Sequence, residues 1–288
     1  MRKTKELRNL IAGRGIIVMP GVYDCISAKL AEKAGFKMIG VTGAGVVASV
    51  LGYPDVGLIS MVEVLNQTRN IVRSVNIPVF ADCDTGYGNP LNVYRTIQEF
   101  EDAGVAGLFI EDQVSPKRCG HFEGKQIISQ EEMVKKIEAA LDARRDPDLV
   151  IMARTDARAV SGLDEAIKRA KAYVKAGVDM IFIEAPQSVE ELARIPKSVD
   201  IPMMANLVEG GKTPIVSVQE LEKMGFKFAS FSGSAQRAGL RAIKEVFHAL
   251  LTTGRMDHMT DRIAPLSERS ELLELSKYYE MDKKYGVC

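Results

Sequence analysis

Short, continuously apolar runs alternate along this chain with longer amphipathic stretches. The runs are GIIVMPG at 15–21, KMIGVTGAG at 37–45, IPVFADCDTG at 77–86, AGLFIEDQ at 106–113, LVIMARTDA at 149–157, DMIFIEAP at 179–186, IPMMANLVEGG at 201–211 and FKFASFSG at 226–233. Their lack of polar alternation predicts eight strands buried on both faces. Helical spacing fills the intervals. LNVYRTIQEFEDAG at 91–104 sets Val93, Ile97 and Phe100 on one face, SQEEMVKKIEAALDAR at 129–144 opens with Ser129 and Glu132 at capping-box spacing, and LDEAIKRAKAYVKAG at 163–177 stops on Gly177. Four helices run out in nearly one signature, EKAGF, EDAGV, VKAGV and EKMGF, each a glycine stop that feeds a buried strand. A βα unit repeated eight times in about 250 residues predicts a (β/α)8 TIM barrel. A doubly wound sheet fits less well, because no GxGxxG opens the first helix and GVTGAG at 40–45 has the wrong spacing.

Nothing in the composition divides the chain, and Pro and Gly sit at element ends. The barrel is expected over 1–252. Residues 253–288, centred on ELLELSKYYEMDKKYG, form a helical C-terminal extension beyond the helix AGLRAIKEVFHALLTTG. A closed barrel offers its own chain no cover for Leu272, Leu273, Leu275, Tyr278 and Tyr279, so this extension is expected against a neighbouring subunit of a homo-oligomer. The 288 residues are 46% hydrophobic and carry 38 basic against 38 acidic side chains. That balance suits a large globular core and gives no support to nucleic acid or an anionic membrane as partner. No apolar run is long enough to span a bilayer, and the basic start MRKTKELRNLIAGRG lacks the apolar core of a secretory signal, so a soluble, cytoplasmic protein is expected. Cys25, Cys83, Cys119 and Cys288 show neither CxxC spacing nor disulfide-scaffold density, and read as reduced thiols.

Active sites of such barrels gather at the C-terminal ends of the strands. Those ends supply Thr42, Gly43 and Ala44, then Asp82 and Asp84, Glu111 and Asp112, Arg154 and Asp156, Glu184, Asn206 and Glu209, and Ser232. Asp82 and Asp84, two apart on a strand, are expected on one face, where they would meet Glu111 in an oxygen-only anionic cluster. Such a cluster needs a cation, and Mg2+ (or Mn2+) is the natural one; no His and Cys spacing suggests zinc. Next to it, KRCGHFEGK at 117–125 packs cations, a thiol, an imidazole and two glycines into nine residues, a mixture with no use in an apolar core.

DCDTGYG, IEDQ, KRCGH, ARTDA, IEAP and ANLVEGGKTP, in this order, resemble the isocitrate lyase and phosphoenolpyruvate mutase superfamily over about Arg14 to Arg241. KRCGH is similar to the lid signature of its carbon-carbon lyases. The resemblance implies a Mg2+-dependent barrel handling α-oxyanion carboxylates, a mobile lid over 115–125, and a last helix exchanged between subunits of a dimer, two of which form a tetramer. It gives Cys119 the role of general acid, with Lys117, Arg118 and His121 tuning the thiol and stabilising developing charge. It also implies substrate binding by Thr42, Gly43, Ala44, Arg154, Glu184 and Asn206, and a metal site from Asp82, Asp84, Glu111 and Asp55. Methylisocitrate lyases of the superfamily carry an EFG-type segment in place of Glu209, Gly210 and Gly211 and a tyrosine in place of Gly40, whereas the IEAP and VEGGKTP segments look more like 2,3-dimethylmalate lyase. The implied reaction is cleavage of a 2-hydroxy dicarboxylate, of 2,3-dimethylmalate or methylisocitrate type, to a 2-oxo acid such as pyruvate and a carboxylic acid. Phosphonomutase, phosphonopyruvate hydrolase and oxaloacetate decarboxylase are the alternatives on the same barrel, and Cys119 argues against phosphorus chemistry because phosphonate-processing members lack it.

Overall fold

The structure is a computed structural model that describes residues 1–286; Cys288 lies outside the described residues. Eight parallel strands close into a barrel in sequence order: β1 (Ile17–Val22), β2 (Ile39–Val41), β3 (Val79–Asp82), β4 (Gly107–Glu111), β5 (Val150–Thr155), β6 (Met180–Ile183), β7 (Met203–Asn206) and β8 (Phe228–Phe231). Closure is made by β1, which pairs with β2 on one side and with β8 on the other. Each expected strand is present, and the structure is the (β/α)8 barrel that the pattern predicts.

Alternate strand residues serve two cores. One set, including Val79, Ala81, Leu108, Ile110, Ile151 and Ile181, joins the helices' buried Val93, Ile97, Phe100, Ile137 and Tyr173 between sheet and helix ring. The other set fills the barrel itself with Met19, Phe80, Phe109, Met152, Phe182, Met204 and Phe228. Phe80 meets Phe228 edge to face at 6.1 Å, and Phe109 meets Phe182 likewise at 6.0 Å. The helix Lys3–Ala12 adds Leu7 to this inner core and so plugs the end where the strands begin. It is fastened there by Lys3, which donates to the carbonyls of Val72 and Val75, and by Arg8, whose guanidinium lies 2.7 Å from Asp179.

Local chemistry sets the helix ends. The glycines of the four repeated signatures, Gly35, Gly104, Gly177 and Gly225, have φ of 93°, 87°, 107° and 106°, the left-handed turn that lets the chain leave a helix and enter a strand. Ser129 accepts from the Glu132 N–H at 3.0 Å, one half of the expected capping box. Complete boxes form instead at Ser60 with Glu63 and at Ser217 with Glu220.

Contact density separates Met1–Ala235 from a second unit that begins at Gln236, earlier than the boundary at 252 drawn from the sequence. The helix Ser234–Thr253 leads into that unit, which continues through Leu266–Leu272 and Leu275–Tyr285. Leu240, Ile243, Phe247, Leu250 and Leu251 are exposed there, as are Tyr278 and Tyr279. Among the described residues no helix is long and apolar enough to cross a membrane.

Candidate active site

At the C-terminal end of the barrel a cavity opens above the aromatic and methionine floor. Its polar lining includes Thr42, Asp55, Asp82, Lys117, Cys119, Arg154, Glu184, Asn206, Ser230 and Ser232. Thr42 caps the helix Gly43–Val50, accepting from the Gly45 N–H, so the amino end of that helix faces the cavity with Ala44 in its wall. Backbone N–H groups at a helix start favour anions.

Asp84 reaches the site by a route the strand pattern does not describe. β3 ends at Asp82, and Asp84 follows with φ of 46° in a left-handed turn that bends its N–H back onto Asp82 Oδ1 at 3.0 Å. Asp82 Oδ2 accepts from the Gly43 N–H, and a Cβ at Gly43 would stand 2.9 Å from that oxygen and 3.3 Å from Asp84 Oδ1. Lys117 Nζ joins the group, 2.6 Å from Asp55 and 2.8 Å from Asp84. Burial, against the pull of Lys117 and with the help of Asp82 and Asp55, pushes the Asp84 carboxyl up to about 6. Burial also drives Glu111 well above the carboxylate range, despite Arg154 and Lys117 nearby. Burial alone would lower Lys117, but Asp84, Glu111 and Asp55 raise it well above its ordinary value, so it stays an ammonium.

Asp84 Oδ1 and Glu111 Oε2 are buried without a hydrogen bond, although each faces a cation. Among the described residues no three His, Cys, Asp or Glu side chains converge to hold one ion directly. A donor set of one carboxylate, with others reached through water, is how Mg2+ is commonly bound, and these residues fit a hydrated divalent cation of that kind.

Arg154 is fixed from several sides. Its Nε and Nη2 make a bidentate pair with Asp156 at 2.8 and 3.1 Å, Glu111 Oε2 lies 3.1 Å from Nε, Glu184 Oε2 lies 3.3 Å from Nη1, and the Phe182 ring lies beneath at 5.2 Å. Behind it Asp112 accepts from Thr155, Tyr173, Arg169 and the Asp156 N–H. Asp112 therefore braces the site from outside the cavity. Asn206 Oδ1, buried and without a partner, faces the cavity as an unused acceptor.

The segment 114–126 folds over this mouth as a flap. Its base is an antiparallel bridge between Gln113 and Ile127, with the Val114 N–H donating to the Gln126 carbonyl. Gln113 pins it further, donating to Glu111 Oε1 and to the Arg118 carbonyl while accepting from the Arg118 N–H. Lys117 and Cys119 turn inward, and the Cys119 N–H donates to the Asp55 carbonyl at 3.0 Å. Arg118 turns outward: it is exposed, and its guanidinium donates to the Glu123 carbonyl. His121 sits 3.6 Å from Glu184 and accepts at Nδ1 from the Lys212 N–H, joining the flap to the segment after β7. Burial lifts the Cys119 thiol above its ordinary value, with Asp55 and Glu184 adding to the effect and the His121 N–H and Arg154 opposing it, and burial lowers His121. At neutral pH the cavity thus holds a protonated thiol, and the flap beside it carries a neutral imidazole.

A strand-end carboxylate cluster, a locked arginine and a thiol-bearing flap above one parallel barrel define an enzyme site for small carboxylates. The family model described as phosphoenolpyruvate phosphomutase matches residues 7–251, and the chain belongs to this phosphoenolpyruvate mutase/isocitrate lyase superfamily. It is 42% identical to the 2,3-dimethylmalate lyase of Eubacterium barkeri over 100% of this chain and 99% of that protein. It is 44% identical to the 2-methylisocitrate lyase of Aeropyrum pernix over 96% of this chain and 88% of that protein. Among solved structures, a phosphonopyruvate hydrolase in complex with oxalate and Mg2+ superposes with a TM-score of 0.89 at 31% identity, covering 99% of each chain.

Gln113, the apolar floor and Lys125 were not singled out in the sequence as parts of the site. The recurrence of methionine and phenylalanine at alternate strand positions was a visible signal for the floor; the partners of Gln113 and Lys125 exist only in three dimensions.

Proposed function

We propose that this chain is a Mg2+-dependent carbon-carbon lyase that cleaves an alkyl-substituted 2-hydroxy dicarboxylate, of 2,3-dimethylmalate or methylisocitrate type, to a 2-oxo acid such as pyruvate and a carboxylic acid. The observation that carries the reading is Cys119, a thiol kept protonated by burial at the mouth of a cavity lined also by Arg154 and by Asp55 and Asp82, with Asp84 beside them. The names of the lyase relatives support it.

One substrate carboxylate is received at the helix start of Thr42, Gly43 and Ala44, the other by Arg154 with Asn206 and Glu184 alongside. Mg2+, when bound near Asp84 with Asp82, Glu111 and Asp55 around it, supplies positive charge to the substrate's 2-oxygen. A carboxylate of the Asp55, Asp82 and Asp84 cluster takes the proton of the C2 hydroxyl and later releases it to water, the C2–C3 bond breaks, and C2 becomes the carbonyl of the 2-oxo acid. The electron pair stays on C3 as an enolised carboxylate. Cys119 gives its proton to C3, completing the carboxylic acid product, and the thiolate is reprotonated on opening. Lys117 and the flap hold positive charge near the developing dianion in a site shielded from water. Arg118, turned outward, acts on the flap's own backbone.

The protein is proposed to act as a homo-oligomer, a dimer of dimers with a helix exchanged between subunits, because the exposed apolar residues of the helix Ser234–Thr253 need cover. The free thiols Cys25, Cys83 and Cys119 suit a reducing, cytoplasmic setting. The test is a panel of 2-hydroxy dicarboxylates, oxaloacetate and phosphonopyruvate assayed with Mg2+ for product release. Turnover of alkylmalates is expected; turnover of phosphonopyruvate or oxaloacetate with none of the alkylmalates would replace this reading.

A further inference from the structure

The geometry points to Lys125 as a positioning residue: we propose that its ammonium latches the Cys119 flap shut onto the Asp156–Arg154 pair. Lys125 Nζ lies 3.0 Å from Asp156 Oδ1, with side chains 1% and 0% exposed, and donates a hydrogen bond to the Gly120 carbonyl. Gly120 directly follows Cys119, and its Cα rests on the site itself, since a Cβ there would stand 2.5 Å from Glu184 Cγ and 2.6 Å from Arg154 Nη2. Asp156 is also the carboxylate that takes the bidentate pair from Arg154. One buried ammonium therefore links the backbone beside the thiol to the residue that aims the arginine. Burial pushes the Asp156 carboxyl up, but Arg154 and Lys125 outweigh it and hold it below its ordinary range, so the latch has a permanent anion to engage.

A buried lysine on a flap base is costly unless paired, and here the pairing can be undone without stranding a charge. When the flap lifts, Lys125 carries its ammonium into water while Asp156 keeps Arg154 and Asp112 keeps the Asp156 N–H. The flap has other ties: Lys117 pairs with Asp55 and Asp84, Glu123 pairs with Lys212, the Cys119 N–H donates to the Asp55 carbonyl and the Lys212 N–H donates to His121, but none of these reaches Asp156 or the Gly120 carbonyl. Lys125 adds a charge-assisted bond made only in the closed state, which is what a latch requires.

The inference rests on the lyase reading only for what the closed flap accomplishes, and the readout that tests it needs no turnover. Full-length Lys125→Met is alkylated with iodoacetamide, and the rates at Cys119, Cys25 and Cys83 are followed in one digest by mass spectrometry. Losing one charge-assisted hydrogen bond shifts an open-closed equilibrium by about tenfold or more, so with the closed state dominant Cys119 should react about tenfold faster. Cys83, 0% exposed in the barrel wall, reports unfolding and should stay unreactive. If Lys125→Met exposes Cys83, Lys125→Gln is read instead. An unchanged Cys119 rate in a folded variant overturns the proposal, and so does exposure of Cys83 in both variants, which would make Lys125 a folding residue. Faster alkylation in a protein that cleaves no alkylmalate would uphold the latch and reject the lyase reading.

Discussion

Replacing Gly120 by alanine tests the closed flap with one methyl group. Its backbone lies outside the left-handed region, so alanine brings no conformational strain. The new Cβ would lie 2.5 Å from Glu184 Cγ, 2.6 Å from Arg154 Nη2 and 2.7 Å from Glu184 Cδ. Neither neighbour can give way easily, because Arg154 is held by Asp156 and Glu111 and Glu184 is itself paired with Arg154 and bonded to the Ala185 N–H. Restoring ordinary contact at about 3.4 Å requires the flap to rise by about 0.9 Å. Displacing a reacting group by about 1 Å costs on the order of 100-fold in rate, so kcat/KM for the alkylmalate substrate should fall by about that factor. The strands and helices are untouched, so the melting temperature should stay within about 2 °C of wild type, the shift expected for less than about 1 kcal/mol in a chain of this size. Steady-state kinetics beside a thermal melt is the assay. Wild-type turnover in a folded Gly120→Ala enzyme would show that catalysis does not use the closed flap, and a large loss of melting temperature would show that the methyl strains the barrel.

Cys119→Ser should lose roughly 100 to 10,000-fold in cleavage, the usual reach of general acid catalysis, because a serine hydroxyl is a far weaker acid; unchanged cleavage would remove the thiol from the mechanism. Since the acid must be protonated, wild-type kcat should persist below the thiol's pKa and fall as pH rises through it. The raised thiol places that fall above the ordinary value near 8.5, and an alkaline limb at lower pH that vanishes in Cys119→Ser would contradict the direction found here. Asp84→Ala should abolish turnover while circular dichroism stays native, because relief of carboxylate repulsion offsets lost packing; full activity after exhaustive chelation would rule out the metal. Light scattering at micromolar concentration should show an oligomer, and a monomer would remove the role assigned to the exposed helix Ser234–Thr253.

Much of this was legible along the chain because burial imposes it locally. Strands covered on both faces read as unbroken apolar runs, and the glycine after each of four helices marks a turn that few other residues adopt. The site was legible at the strand ends for the same reason, since the barrel aims those positions. Three features were not. Asp84 faces Asp82 through a left-handed turn rather than strand alternation, so the right neighbour was named by the wrong geometry. Arg118 stands between two inward residues and points out, a choice made by Gln113 holding both its N–H and its carbonyl. Asp112 adjoins Glu111 in sequence yet braces the far side of the sheet through Thr155, Tyr173 and Arg169, contacts that span up to 61 residues.

The floor of the cavity has a bearing on how narrowly substrates are chosen. Met19 and Met204 line it, Met19 lies against Gly40 where a side chain would otherwise project, and Met38, Met152 and Met180 fill the barrel below. Unbranched thioethers change rotamer at little cost, unlike the rigid rings of Phe80 and Phe182 beside them. The alkyl groups of the proposed substrate would therefore meet a surface that re-fits, while its carboxylates would meet one that does not. Selection among homologous alkylmalates should then be shallow and selection for the spacing of two carboxylates steep, and substitutions at Met19, Gly40 and Met204 should shift the first without touching the second.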